Sequence, residues 1–191
     1  MNDLIMELAL HPKLETERLL LRPITLLDAK DMFEFASDID TTKFVFKAHK
    51  NLEETKYIIA NQFLTDPIGK YSIELKETGK MIGIISYNRI NKTTRTAEIG
   101  YTLNKLYRGK GFMPEALGKL IQSGFDLFKF NSLMAVCDEL NNASGRVIEK
   151  CGLKYLYTDP YSRFDFYDNN RMVTDVFYRL TKEEYYNTSL S

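Results

Sequence analysis

Between Tyr71 and Phe128 the hydrophobic period changes once, and the change falls on two glycines. Tyr71, Ile73 and Leu75 lie on one face of an extended segment, with Ser72 and Glu74 on the other. Thr78 and Gly79 make a turn into a second such segment, Met81 to Tyr87. The polar stretch Asn88 to Thr94 leads to a third, in which Ala97, Ile99, Tyr101 and Leu103 alternate with Glu98, Gly100 and Thr102. Beyond Gly109 and Gly111 the spacing is helical, and Phe112, Ala116, Leu117, Leu120, Ile121, Phe125 and Phe128 form a wide apolar stripe. This order predicts an antiparallel meander running through a glycine loop into a long helix that lies on a sheet.

The flanking segments extend the same plan. RLLLR, from Arg18 to Arg22, is a short apolar strand closed by Pro23, and Thr25 and Asp28 open a helix carried on by Ala29, Met32, Phe33 and Ala36. Asn51 and Glu54 start another, with Leu52, Ile59 and Phe63, that ends before Pro67. After the long helix come a strand at Leu133 to Cys137 and a short helix from Asn141 to Cys151, stopped by Gly152. Two last strands, Leu153 to Tyr157 and Met172 to Leu180, flank a loop at 159–170 rich in Asp, Asn and aromatics. The pattern predicts an α+β sheet covered by helices, and the absence of linkers and repeats predicts one domain over 1–191.

Charge and composition narrow the function classes. The 26 basic and 26 acidic side chains cancel, so no long-range field holds the chain on nucleic acid or an anionic membrane. No run approaches the ~20 apolar residues of a membrane span, and Asp3 and Glu7 stand where a leader peptide has a basic start; a cytoplasmic location is expected. Cys137 and Cys151 make no metal-ligand pattern and are expected as free thiols in the core. His11 and His49 have no partner at ligand spacing and are expected at the surface; no metal is expected.

The stretch that carries chemistry is IGYTLNKLYRGKGFMPEAL, 99–117. Its glycines let consecutive amides point inward, and the following helix start adds unsatisfied N–H groups and a positive dipole end, so the turn can wrap a pyrophosphate. Lys105, Arg108 and Lys110 add charge nearby. A P-loop is excluded because Lys110 is followed by Gly111 and Asn104 stands five positions before Gly109; a dinucleotide fingerprint is excluded by Pro114 at its third glycine. An ordinary exposed turn before a helix is the alternative.

This stretch resembles the pyrophosphate loop, R/Q-x-x-G-x-G/A, of the GNAT superfamily of acyl-CoA N-acyltransferases. Arg108, Gly111 and Met113 occupy its positions, Met113 departing from the usual Gly or Ala. TERLLLRP, 16–23, is similar to the opening strand of the ribosomal-protein alanine N-acetyltransferase branch, and NNASGRVIEKCGL, 141–153, to its Asn-x-x-Ser helix. The matches cover about residues 14 to 181. The resemblance implies a GNAT-like mixed, mostly antiparallel sheet flanked by helices. That sheet would splay between the strand ending near Leu103 and the strand Leu133 to Cys137, with the pantetheine arm of acetyl-CoA in the gap.

It also implies roles. The backbone of Tyr101, Thr102 and Leu103 would pair with pantetheine, and Arg108, Gly109, Lys110, Gly111, Phe112 and Met113 would hold the pyrophosphate. Asn141 would bond the pantetheine arm, a role compatible with capping its helix. Many members carry, four residues beyond the Ser144 position, a Tyr that protonates the departing thiolate; here that residue is Ile148. Ser144 is therefore the candidate donor to the thiolate, the alternative being a second cap residue. For the base, Glu74 and Glu98 are candidates acting through a water, each equally readable as a solvated carboxylate. The stretch 159–170 and the helices around Asp40 to Phe63 would form the acceptor side.

The acceptor implied is a protein N-terminal α-amine, such as alanine on a ribosomal protein. A small-molecule amine or antibiotic is the runner-up. A non-catalytic acyl-CoA-binding module is the rival from another class, favoured by Ile148 and opposed by Ser144. The expected partners are acetyl-CoA and the amine, with no direct nucleic acid and no membrane, in a monomer or homodimer.

Overall fold

The computed structural model describes residues 3–188. In chain order its elements are α1 (Leu4–Leu10), β1 (Leu14–Glu15), β2 (Leu19–Arg22), α2 (Ala29–Ala36), α3 (Ile39–Thr42) and α4 (Leu52–Ile58), which runs on as a π-helical stretch Ile59–Leu64. There follow β3 (Lys70–Leu75), β4 (Lys80–Asn91), β5 (Thr96–Leu103), α5 (Phe112–Asp126), β6 (Ser132–Asp138), α6 (Asn142–Lys150), β7 (Lys154–Phe164), β8 (Met172–Thr181) and α7 (Lys182–Thr188). The strands form one mixed, open sheet in the order β1-β2-β3-β4-β5-β6-β8-β7. Among these neighbours β5 and β6 are parallel and the others antiparallel.

Both faces of the sheet are covered, as the periodicity requires. The α5 stripe predicted from spacing is wholly buried and packs with Leu19, Ile73, Ile85, Tyr87, Ala97 and Ile99 from the strands. On the opposite face Ala29, Met32, Phe35 and Ala36 of α2 meet Ile59 and Met81 in a second, smaller core. Deleting a side chain such as Phe125 from the larger core would cost about 3–5 kcal/mol.

Three features depart from the sequence reading. The stretch expected as a loop at 159–170 is strand as far as Phe164: Arg163 pairs with Val173 and Phe164 with Met172. Pro160 is accommodated there because β7 is an edge strand, and the register shifts between Asp159 and Arg163. His49, expected at the surface, is 6% exposed; its Nδ1 lies 2.9 Å from Thr55 Oγ1, and burial lowers its pKa. The amino-terminal helix α1 was not anticipated, yet Asp3 caps it by accepting the Ile5 N–H at 2.8 Å, and it buries Leu4 and Leu8. Cys137 is buried and Cys151 half-buried, both as free thiols.

Two charged clusters fix the amino-terminal strand to what surrounds it. On one side Glu115, in the first turn of α5, accepts the Thr16 hydroxyl at 2.5 Å, the Arg18 backbone N–H at 3.0 Å and Arg18 Nε at 2.6 Å. On the other, Arg22 makes two hydrogen bonds to Asp28, at 2.7 and 2.9 Å, and one to Glu74 at 2.5 Å. Asp28 also accepts the Thr25 N–H at 2.7 Å. Burial pushes the Asp28 carboxyl up, but the bonds from Arg22 and Thr25 outweigh it and hold the group below the usual range.

A carboxyl depressed by folding stabilises the fold above its unfolded pKa of ~3.9 and loses that contribution as pH falls through the folded value. Asp28→Asn is therefore expected to lower the unfolding free energy by about 3 kcal/mol at neutral pH. In urea melts the gap to wild type should narrow below about pH 4. A gap that stays constant across that range would show that the charge of Asp28 contributes nothing.

Candidate active site

The parallel pairing of β5 with β6 runs from Thr96↔Ser132 to Ile99↔Ala135 and stops. Beyond it β5 stays with β4 as far as Gly83↔Leu103, and β6 stays with β8 as far as Asp138↔Asp175. The two strands thus part into a wedge bounded by 100–103 and 136–138. Strand geometry decides what lines it. The Asn104 N–H donates to Ile82 O at 2.9 Å, toward β4. Because successive residues point their amides to opposite edges, Tyr101 and Leu103 direct theirs away from β4, into the wedge.

At one end of the wedge stands the glycine loop. Gly109 and Gly111 have φ of 77° and 80°, a region where other residues are strained, and both are exposed. Asn side chains cap α4 and α6, accepting the N–H of Glu54 and Ser144, whereas among the described residues no side chain caps α5. Its first N–H groups are left for an anion. Arg18 shapes the loop from below: its Nη1 donates to Lys110 O at 3.0 Å, and its guanidinium lies 4.5 Å from the centroid of the Phe112 ring. Phe112 and Met113 are buried in the core and face the loop with their backbone alone.

The cations sort themselves. The exposed side chain of Arg108 has no protein partner among the described residues, and Lys110 sits 5.4 Å from the Tyr107 ring centroid. Lys105, counted with them on sequence, is instead bound to Asp38 at 2.7 Å.

At the other end of the wedge is α6. Asn141 caps it, its Oδ1 taking the Ser144 N–H at 3.3 Å. The Ser144 hydroxyl lies 2.8 Å from the phenol oxygen of Tyr101, which also donates to the Ser144 carbonyl at 3.2 Å. Ile148 is fully buried. The Cys137 thiol is pushed by burial up to about 11, and the adjoining Ser144 hydroxyl pulls it the other way. Alternation put Tyr101 on the core face, but nothing in the sequence pointed to its hydroxyl meeting Ser144. The available signal was that a buried phenol needs a partner.

The two candidate carboxylates are not brought together. Glu74 pairs with Met81 and Glu98 with Asn88, positions seven residues apart on β4, or roughly 23 Å along the strand. Each is held by an arginine, Glu74 by Arg22 at 2.5 Å and Glu98 by Arg89 at 3.0 Å. Glu34 of α2 is a carboxylate the sequence reading passed over. It takes the Asn104 Nδ2 at 2.8 Å and the Lys80 ammonium at 2.7 Å, just past the end of β5. Lys80 and Asn104 hold its carboxyl below the usual range. The 159–170 stretch and the α3–α4 region do meet: the Tyr167 phenol oxygen accepts the Ala48 N–H at 2.7 Å and lies 3.3 Å from Thr42 Oγ1.

Residues 18–154 match the family model described as the acetyltransferase (GNAT) domain. The uncharacterized N-acetyltransferase p20 of Bacillus licheniformis is 34% identical over 139 residues, 71% of this chain and 78% of that one. The ribosomal-protein-serine acetyltransferase of Escherichia coli is 34% identical over 73 residues, 38% of this chain and 41% of that one. A GNAT-family acetyltransferase from Bacillus anthracis superposes with a TM-score of 0.78 at 24% identity, covering 90% of this chain and 99% of that one. The chain belongs to the GNAT acetyltransferase family.

Proposed function

We propose that this N-acetyltransferase acts on a protein N-terminal α-amine of the ribosomal-protein type. The observation that carries the proposal is the state of the candidate carboxylates on the sheet and on α2. Glu34, Glu74 and Glu98 are each occupied by a cation, and Lys80 and Asn104 hold the Glu34 carboxyl below its usual range. An α-amine with a pKa of ~7.7–8.0 is already neutral in roughly one molecule in six to ten at pH 7, whereas a lysine side chain at ~10.4 is neutral in about one in 2,500. An enzyme with so little base suits the first acceptor. The similarity to a ribosomal-protein-serine acetyltransferase supports the same class.

In this reading the amine attacks the thioester in a ternary complex, without a covalent enzyme intermediate. Loop amides from Gly109 to Met113, with Arg108, hold the pyrophosphate, and the strand edge at Tyr101 and Leu103 pairs with the pantetheine arm, Asn141 adding a bond. The Leu103 amide stabilises the oxyanion, and the Ser144 hydroxyl hydrogen-bonds the departing sulfur. Alignment in the wedge supplies most of the acceleration, since proximity alone contributes ~7–11 kcal/mol. A small-molecule amine is the second reading, favoured by the Tyr167 contacts that tie 159–170 to α3 and α4 and narrow the acceptor side.

With acetyl-CoA and a panel of peptides beginning with Ala or Ser, purified protein should release CoA thiol. Peptides that offer a lysine but have a blocked N-terminus should not react. The rate at subsaturating peptide should rise about tenfold per pH unit and level off above about pH 8, tracking the acceptor amine. Turnover with polyamines or other small amines alone would overturn the peptide assignment. Ser144→Ala should lower kcat by about 10- to 100-fold and leave the KM for acetyl-CoA near wild type. An unchanged kcat would remove Ser144 from the chemistry.

A further inference from the structure

We propose that Asp138 is a positioning residue for the acyl donor: clamped by Arg171, its carboxylate fixes the turn that presents Asn141 to the pantetheine arm. The inference rests on the reading of Asn141 given above and adds a charged pair drawn from β6 and the turn between β7 and β8. Asp138 is the last residue of β6, at the lip of the wedge, and its side chain is almost wholly buried. Its Oδ1 accepts the Leu140 N–H at 2.8 Å, and its backbone carbonyl accepts the Asn141 N–H at 2.8 Å. The two bonds close the four-residue turn that ends at Asn141 and opens α6. Asn141 spends its own Oδ1 on the Ser144 N–H, and among the described residues its Nδ2 has no protein partner. That amide is free to donate to a carbonyl of the arm, and its aim is set by the turn that carries it.

A neutral side chain would also hold the Leu140 N–H, so the charge at 138 needs a reason. Asp138 stands directly opposite Asp175 on β8, and like charges so placed repel. Asp175 is taken up by Arg163 Nε at 3.3 Å and by the Ser162 hydroxyl at 2.8 Å. Asp138 is taken up by Arg171, whose Nη2 lies 3.1 Å from Oδ2 and 3.4 Å from Oδ1 while Nη1 donates to Asp165 at 2.7 Å. A buried carboxylate gripped by a guanidinium on one side and an amide on the other has one orientation, which the Leu140 bond alone would not give it. Asp165 also accepts the N–H groups of Tyr167 and Asp168, at 2.8 and 3.1 Å, so the clamp stands on a braced turn. Through Tyr167 the same turn reaches α3 and α4, and one polar chain runs from the acceptor side to the donor's arm.

The test needs no acceptor. Binding of CoA to the whole chain is measured by calorimetry, beside binding of the phosphoadenosine diphosphate half of CoA, which keeps the phosphates and lacks the arm. Asn141→Ser keeps a capping oxygen for α6 and removes the amide; it should weaken CoA about tenfold and leave the nucleotide half unchanged. Asp138→Ala should do the same, and in the Asn141→Ser background it should weaken CoA no further. A loss from Asn141→Ser with none from Asp138→Ala overturns the role of Asp138 and leaves that of Asn141 standing. No loss from Asn141→Ser removes the reading of Asn141 and, with it, the present proposal. Equal losses for both ligands in Asp138→Ala show a general structural role, and an added loss in the double variant shows direct action on the arm; either overturns positioning. Should Asp138→Ala not fold, Asp138→Asn keeps the shape and the Leu140 bond and removes the charge that Arg171 grips. CoA is then expected to bind about threefold more weakly with the nucleotide half unchanged, and an unaltered CoA affinity overturns the proposal.

Discussion

Two strands that begin as neighbours and then part are the constraint on which the rest of this structure depends. β5 and β6 pair over four residues, but each has a longer claim elsewhere: β5 on β4 and β6 on β8. Antiparallel ladders on either side win, and the parallel pair between them opens. Backbone donors exposed in this way are costly to leave unpaired in a buried setting. The wedge is open to an extended, hydrogen-bonding partner, and under the proposed function the pantetheine arm of acetyl-CoA, with its two amides, would be that partner.

The surroundings hold that wedge and place charge where it is useful. Arg18 and Glu115 tie the amino-terminal strand to the first turn of α5, and Arg18 also binds the Lys110 carbonyl, which leaves the loop amides turned the other way. Glu115 is a carboxylate in a helix first turn, where the dipole favours it, yet Arg18 offsets its charge so that it does not oppose an incoming phosphate. Among the described residues the Arg108 side chain has no partner, which under the proposed function leaves it to the phosphates. Across the sheet the acidic groups are neutralised one by one by Arg22, Lys80 and Arg89.

Much of this was legible in the sequence, for identifiable reasons. Period-two alternation and the α5 stripe are strong, local signals, and they gave the meander, the long helix and the loop between them. The wedge was expected only through resemblance, because no local pattern says where a parallel pair ends. Glycine at 109 and 111 signalled the positive φ that the loop adopts. What failed was long-range or compensated. The strand in 159–164 was hidden by Pro160 and by polar residues that an edge strand tolerates. His49 was misplaced because its burial depends on α4 packing back over it. Glu74 and Glu98 share a parity but lie at opposite ends of β4's ladders, and alternation carries no information on distance along a sheet. The Tyr101–Ser144 contact joins residues 43 apart in sequence, which no spacing rule anticipates.

The central claim is that the donor occupies the wedge and the uncapped start of α5 together. Residue-resolved amide hydrogen exchange, with and without acetyl-CoA, tests it directly. The account predicts that the amides of Tyr101 and Leu103 and those from Gly109 to Met113 slow together on binding, while neighbouring amides already bonded within β4 and β5 change little. Binding of acetyl-CoA that leaves those amides exchanging as before, with protection appearing instead around the hollow formed by Ile5, Lys70 and Arg89, would contradict it.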